Sequence, residues 1–302
     1  MDWSNVKFFT AHHHEVLLPE GHRFPMEKYR LLVEKLIADK IVREDQIYPA
    51  PPVEIADLLL AHDERYVLGF RDGTLPPGEV RPIGLPWSPA LYQRSIHSVG
   101  GFIAATENAL SDGFSAVLAG GTHHAHRDRG EGYCVFNDFA VGALRLLNAQ
   151  RVRKVLIIDL DVHQGNGNSS ILGAREDVFI FSVHGERNYP FRKVKSHLDV
   201  ALPEGTGDEA YLEALENSLK KLPPAEIIFY QAGVDVLRED KLGTFTLTLE
   251  GIQRRDQMVF EYAKSSGTAI ALAIGGGYGT PLDKTIDAYT GIFEAARRAF
   301  DE

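Results

Sequence analysis

The sequence contains little cysteine and has no excess of positive charge. Cys134 is the only cysteine among 302 residues, and the formal net charge is −10. A single cysteine excludes an internal disulfide and a cysteine-based zinc site, and we interpret Cys134 as a small buried residue rather than a reactive thiol. The acidic balance disfavours nucleic-acid binding, because surfaces that bind nucleic acids are basic.

Long apolar runs and targeting signals are lacking as well. No apolar run approaches the ~20 residues of a membrane helix, and the first residues lack the basic and apolar regions of a signal peptide. Together with the single cysteine, these absences predict a chain without a membrane span in a reducing, cytoplasmic location. Because no repeat, linker or low-complexity tract interrupts the chain, we expect residues 1–302 to form a single domain.

Short apolar runs alternate with helical patterns, and this alternation predicts the fold class. The runs typical of buried parallel strands are Val6–Thr10, Ser115–Ala119, Val155–Ile158, Val178–Ser182, Ile227–Gln231 and Thr268–Ile274. The clearest helical patterns are Met26–Ala38, Pro89–Leu110, Asp138–Asn148, Asp208–Leu222, Leu249–Ser265 and Leu282–Phe300. They predict an α/β fold, a single-domain open, mostly parallel sheet with helices on both faces. Residues 71–88, rich in glycine and proline, predict a surface loop.

Glycines, histidines and aspartates follow most of the predicted strands. They are Gly120–His126, Asp161, His163, His184, Gly233–Asp235 and Gly275–Gly279. The carboxyl ends of parallel strands meet at one edge of the sheet, where open α/β folds place their active sites. We therefore expect these loops to converge on one cleft.

Two carboxylates and an imidazole alternate at the end of one predicted strand. Asp159, Asp161 and His163 would point to the same face, because side chains two residues apart share a face of a strand. Burying such groups is costly unless a cation holds them, so a divalent metal is the simplest explanation. A catalytic zinc takes three protein ligands, and Asp235 is the natural third. The structural alternatives are a polar pair that caps a loop and, for Asp235, a helix or turn cap.

Adjacent histidines and a tyrosine complete the predicted chemistry. His123 and His124 can act as general acid and base, with Asp159 and Asn166 as partners for their second ring nitrogens. Tyr278, in a glycine-dense turn, can donate to an oxyanion. The alternatives are a structural histidine pair and a simple turn.

The remaining histidines are interpreted as structural. The triplet His12–His14 resembles a metal site, but we favour a solvated loop there, and we interpret His62, His97 and His197 in the same way. The glycine-rich turn before Tyr278 is neither a dinucleotide fingerprint nor a P-loop, because G-x-G-x-x-G and G-K-[ST] are both absent.

The ordered motifs resemble those of the zinc-dependent histone deacetylases. The matching segments are Gly120–Ala125, Gly132–Asp138, Asp159–Gly167, Gly233–Asp235 and Gly275–Tyr278. The resemblance covers essentially the whole chain, implies an arginase/deacetylase-like fold with a single catalytic domain at 1–302, and is nearest to class IV and bacterial deacetylase-like proteins.

The resemblance assigns a role to each matched residue. It implies one zinc ion held by Asp161, His163 and Asp235. It also implies catalytic roles for the following residues: His123, His124, Tyr278, Asp159 and Asn166. The implied substrate-binding residues are Gly132, Tyr133, Tyr189 and Gly276, and a structural potassium ion would use Asp159, Asp161, His163, Ser182 and Val183.

Three departures from the family pattern stand out. Asn166 replaces an aspartate that many members pair with the second histidine, and an amide stabilises an imidazolium less well, which suits His124 to a base role. Lys28 stands where many members have an arginine near the inner cavity. The loop around Gly84 lacks the aspartate that holds the substrate backbone in several members, which argues against tight peptide recognition.

The resemblance predicts zinc-dependent hydrolysis of N-acyl amides, most simply deacylation of acyl-lysine in proteins or peptides. The alternatives are an acetylpolyamine or other small-molecule amidohydrolase, an arginase-like ureohydrolase and an inactive acyl-lysine binder. A ureohydrolase would need another carboxylate two residues after His163, where the sequence has Gly165. The expected partners are acylated amines, not nucleic acids, and the acidic net charge should attract cationic substrates of either kind.

Overall fold

The computed structural model describes residues 2–301 and contains one parallel sheet. Its eight strands are β1 (Phe8–Thr10), β2 (Ile47–Pro49), β3 (Phe114–Val117), β4 (Val155–Asp159), β5 (Val178–Gly185), β6 (Leu198–Leu202), β7 (Ile227–Gln231) and β8 (Ala269–Ala273). Their spatial order is β2-β1-β3-β8-β7-β4-β5-β6, and every neighbouring pair is parallel. The predicted α/β class with an open parallel sheet is confirmed.

The helices form a layer on each face of the sheet. They are α1 (Lys28–Ala38), α2 (Ile55–Ala61), α3 (Glu64–Asp72), α4 (Pro77–Val80), α5 (Pro89–Asp112), α6 (Asp138–Asn148), α7 (Asn166–Leu172), α8 (Asp208–Leu219), α9 (Leu249–Ser266) and α10 (Leu282–Phe300). Helices α2, α3, α5, α6 and α7 pack against one another on one side, and α1, α8, α9 and α10 pack together on the other. Within residues 2–301, no helix is long and apolar enough to cross a membrane.

The central strands are buried along their whole length because helices cover both of their faces. Every residue of β4 and β7 is buried, as expected for parallel strands in the middle of such a sheet. Asp159, the last residue of β4, is therefore a carboxylate inside the core, and only specific partners can make its burial tolerable.

Two edge strands and several short helices are absent from the sequence-based prediction. Strands β2 and β6 are short or only partly buried, so their apolar pattern is weak. Residues 71–88 are not simply a surface loop, because they contain α4 and a 3-10 turn at Arg81–Ile83, and Leu75, Ile83 and Leu85 are buried. His184 lies inside β5 rather than after a strand ending at Ser182.

Candidate active site

Four adjacent strands at the centre of the sheet carry the chemically reactive loops. In spatial order they are β3, β8, β7 and β4. The tandem histidines follow β3, Asp161 and His163 follow β4, Asp235 follows β7, and Tyr278 follows β8. Because all four strands run in the same direction, their loops meet at one carboxyl edge, as the sequence predicts.

Asp161, His163 and Asp235 form a compact and buried cluster whose side chains could hold a metal ion. Oδ1 of Asp161 and Oδ2 of Asp235 each lie 3.0 Å from Nδ1 of His163, and one ligand atom from each residue lies within 4.8 Å of the others. Backbone N–H groups orient the carboxylates: Val162 donates to Asp235 over 2.9 Å and Gly276 donates to Asp161 over 2.8 Å.

The electrostatics of this cluster favour a bound cation. Burial and the charge of Asp161 raise the pKa of Asp235 to about 7. Burial opposes charge on His163, but its hydrogen bonds to Asp161 and Asp235 outweigh this effect and raise its pKa to about 10. A buried pair of carboxylates thus attracts positive charge to this point, and two oxygens with one imidazole nitrogen are a donor set that fits a catalytic divalent metal.

The space beside the cluster leaves no room for a side chain at residue 165. A side chain at Gly165, two residues after His163, would collide with a carboxylate oxygen of Asp159. A carboxylate at that position, which a two-metal ureohydrolase site needs, therefore has no room in this backbone. A Cβ at Gly276 would likewise collide with a carboxylate oxygen of Asp235, so this glycine supports the ligands from behind.

The tandem histidines have different partners and different charge preferences. Nδ1 of His123 donates to Oδ2 of Asp159 over 2.8 Å, whereas Nδ1 of His124 donates to Oδ1 of Asn166 over 2.7 Å. Burial opposes charge on His123, but Asp159 and other carboxylate charge raise its pKa to about 9. Burial and the neighbouring His123 hold the pKa of His124 well below its usual value. The pair thus contains one imidazole that favours the charged form and one that stays neutral.

A narrow aromatic channel leads to these groups. Tyr189 meets His124 edge-on at a ring separation of 4.9 Å, and Tyr133 lies 5.8 Å from Tyr278 on the opposite wall. Gly132 lies between His124 and Tyr189, and a Cβ there would stand 2.7 Å from Cδ2 of His124. Tyr189 lines an outer opening and Gly276 an inner cavity that also borders Asp161, and Gly132 and Tyr133 line both.

Lys28 and Asp240 hold the turn that carries Tyr278. The buried Lys28 ammonium donates to the carbonyl of Gly277 over 3.3 Å and lies 4.8 Å from the Tyr278 ring centroid. Asp240 accepts from the Tyr278 backbone N–H over 2.6 Å. Burial, and then the charges of the ligand carboxylates, raise the pKa of Tyr278 well above its usual value, so its hydroxyl stays a neutral donor.

Several histidines lie outside this cluster. His14 and His97 pack together with a ring separation of 3.8 Å, so the His12–His14 segment is not the fully solvated loop that the sequence suggests. His62 is buried and joins two backbone segments through both ring nitrogens, and Nδ1 of His197 accepts from the Ile180 N–H over 3.1 Å.

Arg255 is a buried residue that sequence reasoning missed. Its Nη1 donates to the carbonyls of Gly233, over 2.6 Å, and Leu160, over 3.3 Å, so it joins the loops that carry Asp235 and Asp161. The guanidinium also pairs with Asp256 at 2.8 Å. Arginine on an amphipathic helix usually faces solvent, but Arg255 lies three residues after Ile252 and four before Val259, so helical periodicity places it on the buried face of α9.

Removing the Arg255 guanidinium should destabilise the protein. Arg255→Met leaves the buried Asp256 carboxylate without its cation, and such losses cost roughly 3–5 kcal/mol in the free energy of unfolding. Urea denaturation followed by circular dichroism measures this cost. Arg254→Met is a matched control, because that side chain is 52% exposed and its nearest carboxylate, Glu261, lies 3.7 Å away. Equal midpoints for the two variants would contradict the role of Arg255.

A pair of histidines beside a cluster of possible metal ligands, at the carboxyl edge of a parallel sheet, is typical of metal-dependent hydrolases. The histone deacetylase domain model matches residues 22–294. The chain is 39% identical to an uncharacterized protein of Picosynechococcus, over 94% of this chain and 95% of that protein. It is 31% identical to histone deacetylase 2 of Arabidopsis thaliana, over 85% of this chain and 70% of that protein.

Structural comparison gives the same result. The crystal structure of a histone deacetylase homolog from Aquifex aeolicus aligns with a TM-score of 0.84 and 27% sequence identity, over 96% of this chain and 84% of that one. The chain belongs to the histone deacetylase family. It is accordingly an enzyme, a hydrolase of the deacetylase and amidohydrolase type.

Proposed function

We propose that the protein removes acyl groups from lysine side chains, with one zinc ion held by Asp161, His163 and Asp235. The observation that carries this proposal is the tandem histidine pair, whose members have different partners, beside the three-ligand cluster at the base of an aromatic channel. A channel of this kind suits a slender chain such as an acylated lysine better than a bulky group. Tyr133, Tyr189 and Gly132 would form its walls, and Gly276 would line its base.

The side chains then have separate tasks in hydrolysis. Zinc at this cluster would supply Lewis acidity toward the acyl carbonyl and toward water. The neutral His124 takes a proton from the attacking water, whose oxygen bonds to the carbonyl carbon, and Tyr278 donates a hydrogen bond to the carbonyl oxygen. The C–N bond then breaks, and the proton returns to the leaving amine. His123, held by Asp159, keeps positive charge near the developing oxyanion.

The charge at the channel mouth distinguishes the candidate substrates. Arg187 and the 88%-exposed Phe191 line the mouth, and Arg23 and Lys241 line an adjoining recess. Among the residues that line these two openings, none is acidic. The charge at the channel mouth is therefore positive, although the net charge of the chain is −10. This finding argues against the expectation that the net negative charge attracts cationic substrates to the site. A polyamine would meet like charge here, whereas an acyl-lysine with neutral or acidic flanks would not.

Substrate kinetics test this assignment directly. With one zinc ion loaded per chain, kcat/KM for an acetyl-lysine peptide with neutral flanks should exceed that for N-acetylspermidine by at least about tenfold, the ratio that a difference of about 1.4 kcal/mol produces. Lys241→Glu should narrow this ratio, and Lys264→Glu, on the remote helix α9, should leave it unchanged. Faster turnover of the acetylated polyamine would favour the small-molecule alternative, and two tightly bound manganese ions would contradict the deacylase site.

We infer that residues 1–302 act as one catalytic domain, because all eight described strands belong to one sheet. A cytoplasmic location is a prediction from the sequence alone. For the inner potassium site at Asp159, Asp161, His163, Ser182 and Val183, the supporting observation is that Asp159 and Ser182 are register partners on β4 and β5.

A further inference from the structure

Asn166 lies at the centre of a polar network that continues away from the metal-ligand cluster. Its Oδ1 accepts from Nδ1 of His124 over 2.7 Å, and its Nδ2 donates to Oε1 of Glu131 over 2.7 Å. Nε2 of His126 lies 3.1 Å from the same amide nitrogen and 3.5 Å from Oε1 of Glu131. The amide of Asn166 thus has a partner for each of its polar atoms.

An asparagine amide is nearly symmetric in shape, so its surroundings decide which end is the acceptor. Glu131 is 16% exposed at its side chain, and as a carboxylate it can only accept. If the amide were reversed, its oxygen would face this carboxylate and its NH₂ group would face Nδ1 of His124. Burial opposes ionisation of Glu131, but the neighbouring His126, Asn166 and Tyr189 side chains outweigh it and lower its pKa to about 2.

We propose that Glu131 is a positioning residue that acts on His124 through Asn166. The Glu131 carboxylate holds the amide with its oxygen toward His124, which keeps the proton of His124 on Nδ1 and leaves the lone pair of Nε2 free for the reaction. Many members of the family have a carboxylate in direct contact with the second histidine. Here the carboxylate is that of Glu131, and Asn166 lies between it and His124. This inference rests on the proposed role of His124 as general base.

Glu131 also connects this network to the substrate channel. Burial and then the charge of Glu131 raise the pKa of Tyr189, whose ring meets His124 edge-on at 4.9 Å. One carboxylate therefore acts on both the amide that orients His124 and the aromatic wall beside it. The sequence offers no periodic signal for this residue, because Glu131 lies in a loop between two glycines.

A double-mutant cycle separates positioning through Asn166 from a merely structural role. Changes in outer partners of catalytic groups cost about 10–100-fold, so we expect Glu131→Ala to lower kcat by up to about a hundredfold. Glu131→Gln keeps an acceptor without the charge, so a smaller loss, about tenfold, is expected. KM and zinc content should change little in both variants.

The second arm of the cycle uses Asn166→Asp. An aspartate accepts from His124 in either orientation, so it needs no orienting partner, and its charge repels Glu131. Glu131→Gln should therefore raise or maintain kcat in the Asn166→Asp background, although it lowers kcat in the parent. An equal loss in both backgrounds would overturn the proposal.

Nitrogen-15 NMR of the histidine rings provides a readout that does not depend on turnover. His124, assigned by comparison with His124→Gln, should show a protonated Nδ1 and an unprotonated Nε2 in the parent and a mixture of tautomers in Glu131→Ala. An unchanged tautomer in that variant would overturn the positioning role. Absence of activity in the parent on every acyl-amide would instead contradict the proposed function, and the NMR result would still decide the role of Glu131.

Discussion

Replacement of Asp235 by asparagine is expected to abolish tight divalent-metal binding and to lower kcat/KM by at least a thousandfold. The carboxylate is fully buried and lies 3.0 Å from Nδ1 of His163, so its charge contributes directly to the attraction for a cation. Lewis-acid catalysis is worth several kcal/mol, and about 4 kcal/mol corresponds to about a thousandfold in rate. Elemental analysis and steady-state kinetics on an acetyl-lysine peptide measure the two effects.

Asp287→Asn is the matched control for this change. Asp287 lies on α10, and its side chain is 39% exposed beside Lys35. We expect this variant to bind one zinc ion per chain and to keep the parent rate. If Asp235→Asn retained a stoichiometric metal ion and full activity, the three-ligand assignment would be wrong.

Replacement of His124 by glutamine is expected to lower kcat by roughly 10²–10⁴-fold, the usual contribution of a general base. Metal content and the circular dichroism spectrum should stay unchanged, because His124 is not among the three proposed ligands. His97→Gln is the control, since His97 packs with His14 away from the cluster. A His124→Gln variant with undiminished kcat would exclude His124 as the base.

The pH profile tests the same residue. A general base must be unprotonated, so the rate falls when the pH drops below the pKa of that base. Burial and His123 hold the pKa of His124 well below its usual value of about 6.5. We therefore expect kcat to stay constant as the pH is lowered from neutral to 6.5 and beyond. A kcat that halves near pH 7 on the acidic limb would indicate a different base or a more exposed His124.

Much of the fold can be predicted from the sequence, because the central strands consist mostly of continuous apolar runs. Strand β7 has the bounds that the sequence predicts, and β4 is longer by one residue, Asp159. Strands β2 and β6 were missed because they lie at the edges of the sheet, where burial is incomplete and the apolar pattern is correspondingly weak. The sequence also could not show that residues 71–88 pack against the core through Leu75 and Ile83.

The candidate site shows the same division. Residue type and strand periodicity are enough to select Asp161, His163 and the tandem histidines. Aspartate and histidine at the ends of buried strands are costly to bury unless a hydrogen-bond partner or a cation compensates for the cost. Glu131 carries no such signal, because it lies in a loop. Arg255 carries one that was missed, since it lies on the same helix face as Ile252 and Val259.

The sequence by itself determined the fold class, the edge of the sheet that carries the chemistry, and the residues that can bind a metal or exchange protons. These follow from periodicity and from the cost of burying charge, which are local properties of the chain. Only the tertiary structure decided that Asn166 faces Glu131, that Arg255 joins the two loops that carry Asp161 and Asp235, and that a chain with a net charge of −10 has arginine at its channel mouth and arginine and lysine in the adjoining recess. Those contacts join residues far apart in the chain, so they depend on how the loops pack and not on any pattern within one segment.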